Sequence, residues 1–264
     1  MITSTSATNP LKAKLARHEP IVGLWSLIPS ASLVEVFAYA GFDFLILDME
    51  HGAFGFETLE NCIRACESTA SAAIVRPPGA DLFSIQKALD LGAHGILIPQ
   101  IANFKVSIDA VAMTKFAPDG KRGFNPFTRA AKYSPPPNLP SGKLDNNYNL
   151  TGIIIETLGA YEELQQILTL PMLDWIYLGT YDMSVSLGCE GNTKHPRIID
   201  FIEKATGLAH AAGKIVGLMV RDEEEVKQAL SMGVGILVFS VDTFLIYQAA
   251  AKVVGIVQKA KGAI

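Results

Sequence analysis

The stretch "FDFLILDMEHG", residues 42–52, is an apolar run that ends abruptly in Asp48, Glu50 and His51. A short, nearly continuous apolar run closed by a glycine reads as a strand covered on both faces, not one with a wet side. Three ionisable groups just past such a strand need a physical reason, because a charge buried without a partner is costly. Parallel α/β folds supply one: ligands bind where the C-terminal ends of their strands open.

Seven more runs of the same kind lie around it: "IVGLW" (21–25), "AAIV" (72–75), "GILIP" (95–99), "TGIIIE" (151–156), "LDWIYLG" (173–179), "KIVGLMV" (214–220) and "VGILVFS" (234–240). Helix signals fill the gaps. Ser32 and Glu35 fit a capping box ahead of Val36, Phe37 and Ala40, and Gly41 closes that helix. Asp81 opens another. Asp222 with Glu225 opens a third, which Gly233 stops, and Asp242 can cap the last. Eight βα units in 264 residues predict a (β/α)8 TIM barrel over residues 20–264, preceded by a lead-in over 1–19. The competing doubly wound sheet would carry a GxGxxG turn after its first strand; Trp25 to Ser32 has none, and no Walker motif occurs.

A net charge of -4 without a basic run argues against nucleic acid or an anionic membrane as partner. Three cysteines imply no disulfide framework and fit a reducing compartment. Cys62 and Cys66 share a helical face and read as small apolar core residues, in preference to soft metal ligands. No apolar run reaches the roughly 18 residues that span a bilayer. The first twenty residues lack the apolar middle of a signal peptide. The expected location is cytoplasmic. One connection, 116–150, is long and carries Pro118, Pro126, Pro135, Pro136, Pro137 and Pro140 together with Arg122 and Arg129. Long ordered loops in compact domains tend to be functional, so a substrate-facing loop is expected.

The barrel reading makes the charges converge. Asp48, Glu50 and His51 follow the second run, Arg76 ends the third, Glu156 ends the fifth, and Asp182 sits just past the sixth. All fall at the mouth, where catalytic groups of such barrels lie. Glu156 and Asp182 come from neighbouring strands and can offer oxygen to one divalent ion; an all-oxygen set suits Mg2+ or Mn2+, with Co2+ not distinguished from them. A 2-oxo acid would complete the coordination through its carboxylate and keto oxygens. Arg76 can stabilise enolate charge through its planar fork. Histidine suits proton transfer near neutral pH, so His51 is the expected base, its ring oriented by Asp48 or Asp90. Trp25 is expected in the pocket wall. A Schiff-base mechanism needs a lysine in a strand. Lys214 is the strand candidate and starts its run at the closed face. Structural readings stand beside these: Asp48 as a cap, Glu50 as partner to a nearby cation, Arg76 with Glu156 as an ion pair, and His18, His94, His195 and His210 as non-catalytic.

The stretches "GLW", "AGFDFLILDMEHG", "VRPPG", "KALDLGAHGILIPQI", "FAPDGKRG", "IIIETLGA", "LGTYDMSVSLG", "GNTKHP" and "SVDT" resemble the HpcH/HpaI aldolase family, the metal-dependent class II pyruvate aldolases, from about Pro20 onward. The resemblance implies reversible cleavage of 4-hydroxy-2-oxo acids to pyruvate and an aldehyde. It implies a hexamer, a trimer of dimers exchanging the last helix. By position, it assigns His51 as base, Arg76 to the keto oxygen, and Glu156 and Asp182 to the metal. Asp48 lies in the acidic-histidine motif. Asp90 would reach the site from a neighbouring subunit, and Gly179, Thr180, Tyr181 and Asp182 would form the turn that holds the pyruvate carboxylate. Two departures are visible. Ile154 stands where the family often has Gln, and Gly179-Thr180-Tyr181-Asp182 replaces a Gly-Pro-x-Asp turn, with Tyr181 expected to narrow the mouth. Alternatives are an oxaloacetate decarboxylase or specialised C–C bond-forming enzyme of the same family, a citrate-lyase β type CoA-ester lyase using Lys121, Arg122, Arg129 and Lys132 for phosphates, and a non-catalytic scaffold.

Overall fold

The computed structural model describes residues 8–133 and 145–262. In chain order the elements are α1 (Pro10–Leu15), β1 (Ile21–Ser26), α2 (Ala31–Tyr39), β2 (Phe44–Asp48), α3 (Phe56–Glu67), β3 (Ala72–Arg76), α4 (Leu82–Asp90), β4 (Gly95–Ile98), α5 (Phe104–Ala112), β5 (Leu150–Ile155), α6 (Leu158–Glu162), α7 (Leu164–Ile167), β6 (Trp175–Leu178), α8 (Thr180–Ser186), α9 (Pro196–Ala211), β7 (Ile215–Val220), α10 (Glu223–Ser231), β8 (Ile236–Val241) and α11 (Asp242–Gly262). The eight strands pair in sequence order, all parallel, and β8 closes on β1. The fold is a (β/α)8 barrel.

Strand parity divides the core in two. Ile21 and Trp25, Phe44 and Ile46, Ala72 and Ile74, Leu150 and Ile154, and Trp175 and Tyr177 pack together inside the barrel. Their alternate neighbours Leu24, Leu45, Leu47, Ala73, Val75, Ile153, Ile155, Ile176 and Leu178 pack against the helices. Both faces are apolar, which is why the runs read as continuous. Large and small residues interlock inside: a Cβ on Gly152 would lie 2.2 Å from Nε1 of Trp175, so only glycine admits that indole. Two residues on from Ile46, Ile74 and Ile154, the same inward parity reaches Asp48, Arg76 and Glu156. The uppermost layer of the barrel interior is therefore charged by register.

The helix starts follow the sequence signals, with one shift and one change of role. Asp81 and Asp222 cap α4 and α10 through the N–H groups of Ser84 and Glu225, both at 2.8 Å. The cap of α2 is Ser30, bonded to Leu33 N–H, two residues ahead of the expected Ser32. Asp242 begins α11, but its Oδ2 is engaged by Ser26 Oγ and the N–H groups of Leu27 and Ile28. It ties the exit of β1 to the end of β8. Cys62 and Cys66 are free, fully buried core residues, and burial pushes the Cys62 thiol up to about 11. Leu11 and Leu15 of α1 pack beneath the barrel interior, and Asn9 holds the carbonyls of His94 and Tyr148.

The described parts of the long connection, 116–133 and 145–149, do not face the mouth of their own barrel. The connection leaves α5 and enters β5, so these parts run along the end where strands begin. Arg122 pairs with Asp90 at 2.7 Å, at the C-terminal end of α4. Arg129 pairs with Glu67 and donates to Leu91 O, while Lys121 pairs with Asp109. These cations are engaged by local carboxylates at the closed end. That removes, within one chain, both the substrate-facing role and the phosphate-binding role expected for them. Residues 134–144 lie outside the described residues.

Candidate active site

A cavity of about 270 Å³ opens at the mouth and is lined by Trp25, Leu27, Asp48, His51, Arg76, Ile154, Glu156, Tyr177, Gly179, Thr180, Tyr181, Asp182, Met219 and Val241. Small-molecule pockets run from roughly 300 to 1,000 Å³, so this one fits a small metabolite. Asp48, His51, Arg76, Glu156 and Asp182, expected at the strand ends, meet here; Glu50 joins them through Arg76, and Asp90 does not line the cavity.

Arg76 is the hub. Asp48 and Arg76 sit side by side in the β2–β3 register. Asp48, fully buried, accepts from Nε of Arg76 at 2.8 Å and from Nη2, while Nη1 lies 3.0 Å from Glu50. Although burial works against its charge, the Asp48 hydrogen bond and the fields of Asp48, Glu50 and Glu156 hold the Arg76 guanidinium above its ordinary pKa. Its Cζ stands 4.3 Å over the Trp25 ring, whose Nε1 donates to Tyr177 Oη at 3.1 Å. Trp25 is thus pocket wall and a cation–π support for Arg76.

Asp48 differs from the expectation in one respect. Its oxygens serve Arg76 and the backbone N–H groups of Glu50 (3.0 Å) and His51 (3.3 Å), so it shapes the turn and does not orient the His51 ring. The carboxylate beside that ring is Glu50, with Oε2 3.9 Å from Nε2, and His51 projects into the open mouth. Glu50 is the partner of a cation, as one structural reading had it. Arg76 and Glu156 form no direct pair. Asp90 lies at the other end of the barrel with Arg122, so no contact within the chain links it to His51.

Glu156 is 9% exposed and accepts from the backbone N–H of Gln100 at 2.6 Å. Burial raises its pKa, the Gln100 bond opposes that, and the charges of Asp182 and Glu50 add to the rise. Asp182 stands in the first turn of α8 on the same cavity wall. A Cβ on Gly179 would lie 2.6 Å from Cβ of Glu156, so a side chain there would displace the carboxylate. Asp48, Glu50, Glu156 and Asp182 surround one guanidinium, an excess of negative charge that fits a bound cation. Among the described residues no group of three or more His, Cys, Asp or Glu is arranged to hold a metal. Two carboxylates would leave most of a coordination sphere to substrate and water, as Mg2+ accepts.

Sequence reasoning missed Gln100. Its side chain donates to Glu50 at 2.7 Å while its N–H holds Glu156, joining the two acids into one network. It also missed Arg221, which directly follows β7 at the head of the charged run Arg221 to Glu225, where the strand-end rule would have found it. The lysine alternatives fall at the closed end: Lys214 donates to the carbonyls of Leu170 and Leu173, and Lys115, lowered by burial to about 8, donates to Asn146 O.

A closed parallel barrel with carboxylates, one guanidinium and a histidine at its C-terminal rim defines an enzyme of the (β/α)8 class. The chain belongs to the HpcH/HpaI aldolase/citrate lyase family, whose model matches residues 22–249, and it is a carbon–carbon lyase. It is 32% identical over 243 residues to a 4-hydroxy-2-oxo-heptane-1,7-dioate aldolase of Shigella sonnei, covering 92% of each chain. It is also similar to the crystal structure of a family protein from Burkholderia cenocepacia (28% identity, TM-score 0.88, 95% of this chain and 100% of the other). The citrate synthase SbnG structure gives 27% identity and a TM-score of 0.86 over 97% and 100%.

Proposed function

We propose that the chain catalyses reversible, metal-dependent cleavage of 4-hydroxy-2-oxo acids to pyruvate and an aldehyde. The observation that carries this reading is the buried Glu156, raised in pKa, facing Asp182 beside Arg76 in a cavity of metabolite size. Glu156 and Asp182 would hold Mg2+, Mn2+ or Co2+, which supplies Lewis acidity toward the keto group. The chain's own groups account for the rest. Arg76, locked by Asp48 and Glu50, donates to the oxygen on which enolate charge develops. His51, exposed at the rim, takes the C4 hydroxyl proton. The C3–C4 electrons then pass to the C2 carbonyl, the aldehyde leaves, and His51 gives the proton it holds to C3 of the enolate to yield pyruvate, the step that methyl exchange runs in reverse. The turn Gly179 to Asp182 would receive the pyruvate carboxylate on the N–H groups of Thr180, Tyr181 and Asp182, while that of Gly179 is taken by Ile155 O at 3.0 Å. Trp25 and Tyr177 exclude water from the guanidinium.

The test is exchange of the pyruvate methyl protons in D2O, which needs only enolate formation. We expect exchange that requires added divalent ion and falls on the order of a hundredfold in His51→Ala, the low end of general-base contributions. Exchange indifferent to EDTA and to His51→Ala would refute the mechanism.

We also read the chain as one subunit of a trimer of dimers that exchanges α11. No helix is among the main neighbours of α11, which meets β1 and β8. Phe244, Ile246, Tyr247, Val253, Val254, Ile256 and Val257 are all exposed along it. An apolar surface of that length is suited to a second copy. Val253→Glu with Val257→Glu should reduce the particle mass in light scattering. An unchanged mass would remove the exchange. Asp90 would then act, as family resemblance implies, from the neighbouring subunit. No helix of the described residues is long and apolar enough to cross a membrane, and the free, buried cysteines suit a cytoplasmic setting.

A further inference from the structure

Beside the mouth lies a second cavity of about 250 Å³ between α9 and α10, with Ile199, Ile202, Leu218, Val220, Ala229 and Met232 in its walls. Thr180 and Met219 line both cavities. Between the two stand Tyr181 on the mouth side and Arg221 on the other, joined by a hydrogen bond from Arg221 Nη1 to Tyr181 Oη at 3.2 Å.

Arg221 is held from several directions. Its Nε and Nη2 donate to the two carboxylate oxygens of Glu225 at 3.0 and 2.9 Å, and Nη2 also donates to Thr193 Oγ1 at 3.0 Å. Its backbone N–H reaches the same Glu225 carboxylate at 2.9 Å. The fork is fixed in plane, and its charge is met by Glu225. The guanidinium is therefore poorly placed to attract an anionic substrate and well placed to fix a phenol. Tyr181 is 49% exposed, and its ring would otherwise be free to swing outward at the rim.

We propose that Tyr181, positioned by Arg221, is a partition that sets the length of the acceptor aldehyde. With the hydrogen bond in place, the acceptor end of the mouth stops at the phenol. The site then takes short, uncharged aldehydes and denies longer chains the apolar wall of the cavity behind it, whose other side carries Lys194, Asp222, Glu224 and Gln228. This departs from the seven-carbon diacid in the relative's name, and it rests on the aldol reading above. Tyr181 is the specificity-determining wall, and Arg221 is a positioning residue acting through it.

The experiment compares propanal with hexanal as acceptors for pyruvate in the Mn2+-loaded protein. Wild type, Tyr181→Ala, Tyr181→Phe and Arg221→Met are each normalised to their own pyruvate methyl exchange measured without aldehyde. Wild type favours propanal. Tyr181→Ala shifts the kcat/KM ratio toward hexanal by at least about tenfold, the discrimination a single methylene gives in an apolar pocket, chiefly through a lower KM for hexanal. Tyr181→Phe and Arg221→Met shift it the same way but less, because the ring remains and only its tether is lost. A purely structural role for Arg221 would move stability without moving this ratio. Since Arg221→Met also frees Glu225, Tyr181→Phe carries the test if that variant does not fold. An unchanged propanal-to-hexanal ratio in Tyr181→Ala and Tyr181→Phe, each ratio being internal to its variant, overturns the partition and leaves the aldolase reading standing. Absence of exchange in wild type overturns the aldolase reading and the partition together.

Discussion

Glu156→Gln is expected to raise the melting temperature of the cation-free protein at pH 7, while removing the stabilisation that divalent ions give the wild type. The folded protein favours the protonated form of Glu156, chiefly because the carboxyl is buried, with Asp182 and Glu50 adding repulsion. Between the ordinary glutamate pKa and the raised one, the folded state binds more protons than the unfolded state. Stability from this group is therefore full below the unfolded pKa and is lost as pH rises through the folded one. At neutral pH the ionised group is a net cost without a cation. Glutamine keeps the acceptor for Gln100 N–H, bonded at 2.6 Å in wild type, and removes the charge. The gain should shrink as the pH is lowered toward 4 and wild-type Glu156 is protonated. With Mn2+ at a hundred times its dissociation constant, the wild type gains about 2.7 kcal/mol. For a chain of this size that corresponds to roughly 5–10 °C. The variant should gain little of this and lose about three orders of magnitude in rate if the ion supplies several kcal/mol to the chemical step. Equal thermal shifts with Mn2+ in both proteins would rule Glu156 out as a ligand. Calorimetry with and without EDTA at pH 4 and pH 7 reads the stability changes, and pyruvate methyl exchange with Mn2+ reads the rate.

The convergence of Asp48, Arg76 and Glu156 was legible because each closes an apolar run, and the C-terminal ends of barrel strands open at one mouth. What joins them was not. The bond between Asp48 and Arg76 depends on the relative register of β2 and β3, which a single sequence does not encode locally, so Asp48 read as support for His51. Gln100 was hidden for a different reason. Its backbone takes φ 58°, a conformation few non-glycine residues adopt, and that is what turns its N–H toward Glu156. The shift from Ser32 to Ser30 at the start of α2 is the ordinary ambiguity of neighbouring cap residues. Within one chain, the described part of the loop over 116–150 lies away from the mouth, and element order alone fixes that. A segment that follows a helix and precedes a strand lies at the closed end of a barrel, and its arginines meet the helix ends there. The exposed apolar surface of α11 could not be assigned from pattern, since a helix apolar on several sides reads equally as buried in its own barrel.

Arg76→Met is expected to be the most destabilising substitution at the mouth, and Arg76→Lys to separate its structural and chemical roles. Asp48 is wholly buried, and two of the partners of its carboxylate are N–H groups of Arg76. Without the guanidinium, the Glu50 and His51 backbone N–H groups remain, at 3.0 and 3.3 Å, with Glu50 as a like charge close by. Removing one member of a buried ion pair costs about 3–5 kcal/mol, because the other is left uncompensated. In a chain of this length that is a fall of roughly 10–15 °C in Tm. Asp48→Asn on the Arg76→Met background should recover part of the loss, since it removes the stranded charge and keeps an acceptor for the turn; a double-mutant cycle would measure the coupling. Lysine restores a positive charge but not the planar fork that reaches Asp48, Glu50 and the reacting oxygen together. Arg76→Lys should therefore retain much of the stability yet lose about 10²–10³ in kcat, the usual cost of one donor to a developing oxyanion. The loss should appear equally in pyruvate methyl exchange, which contains the enolate but no aldehyde. A lysine variant with wild-type exchange and only a raised aldehyde KM would instead make Arg76 an acceptor-binding group, and the enolate would then need another donor at this rim.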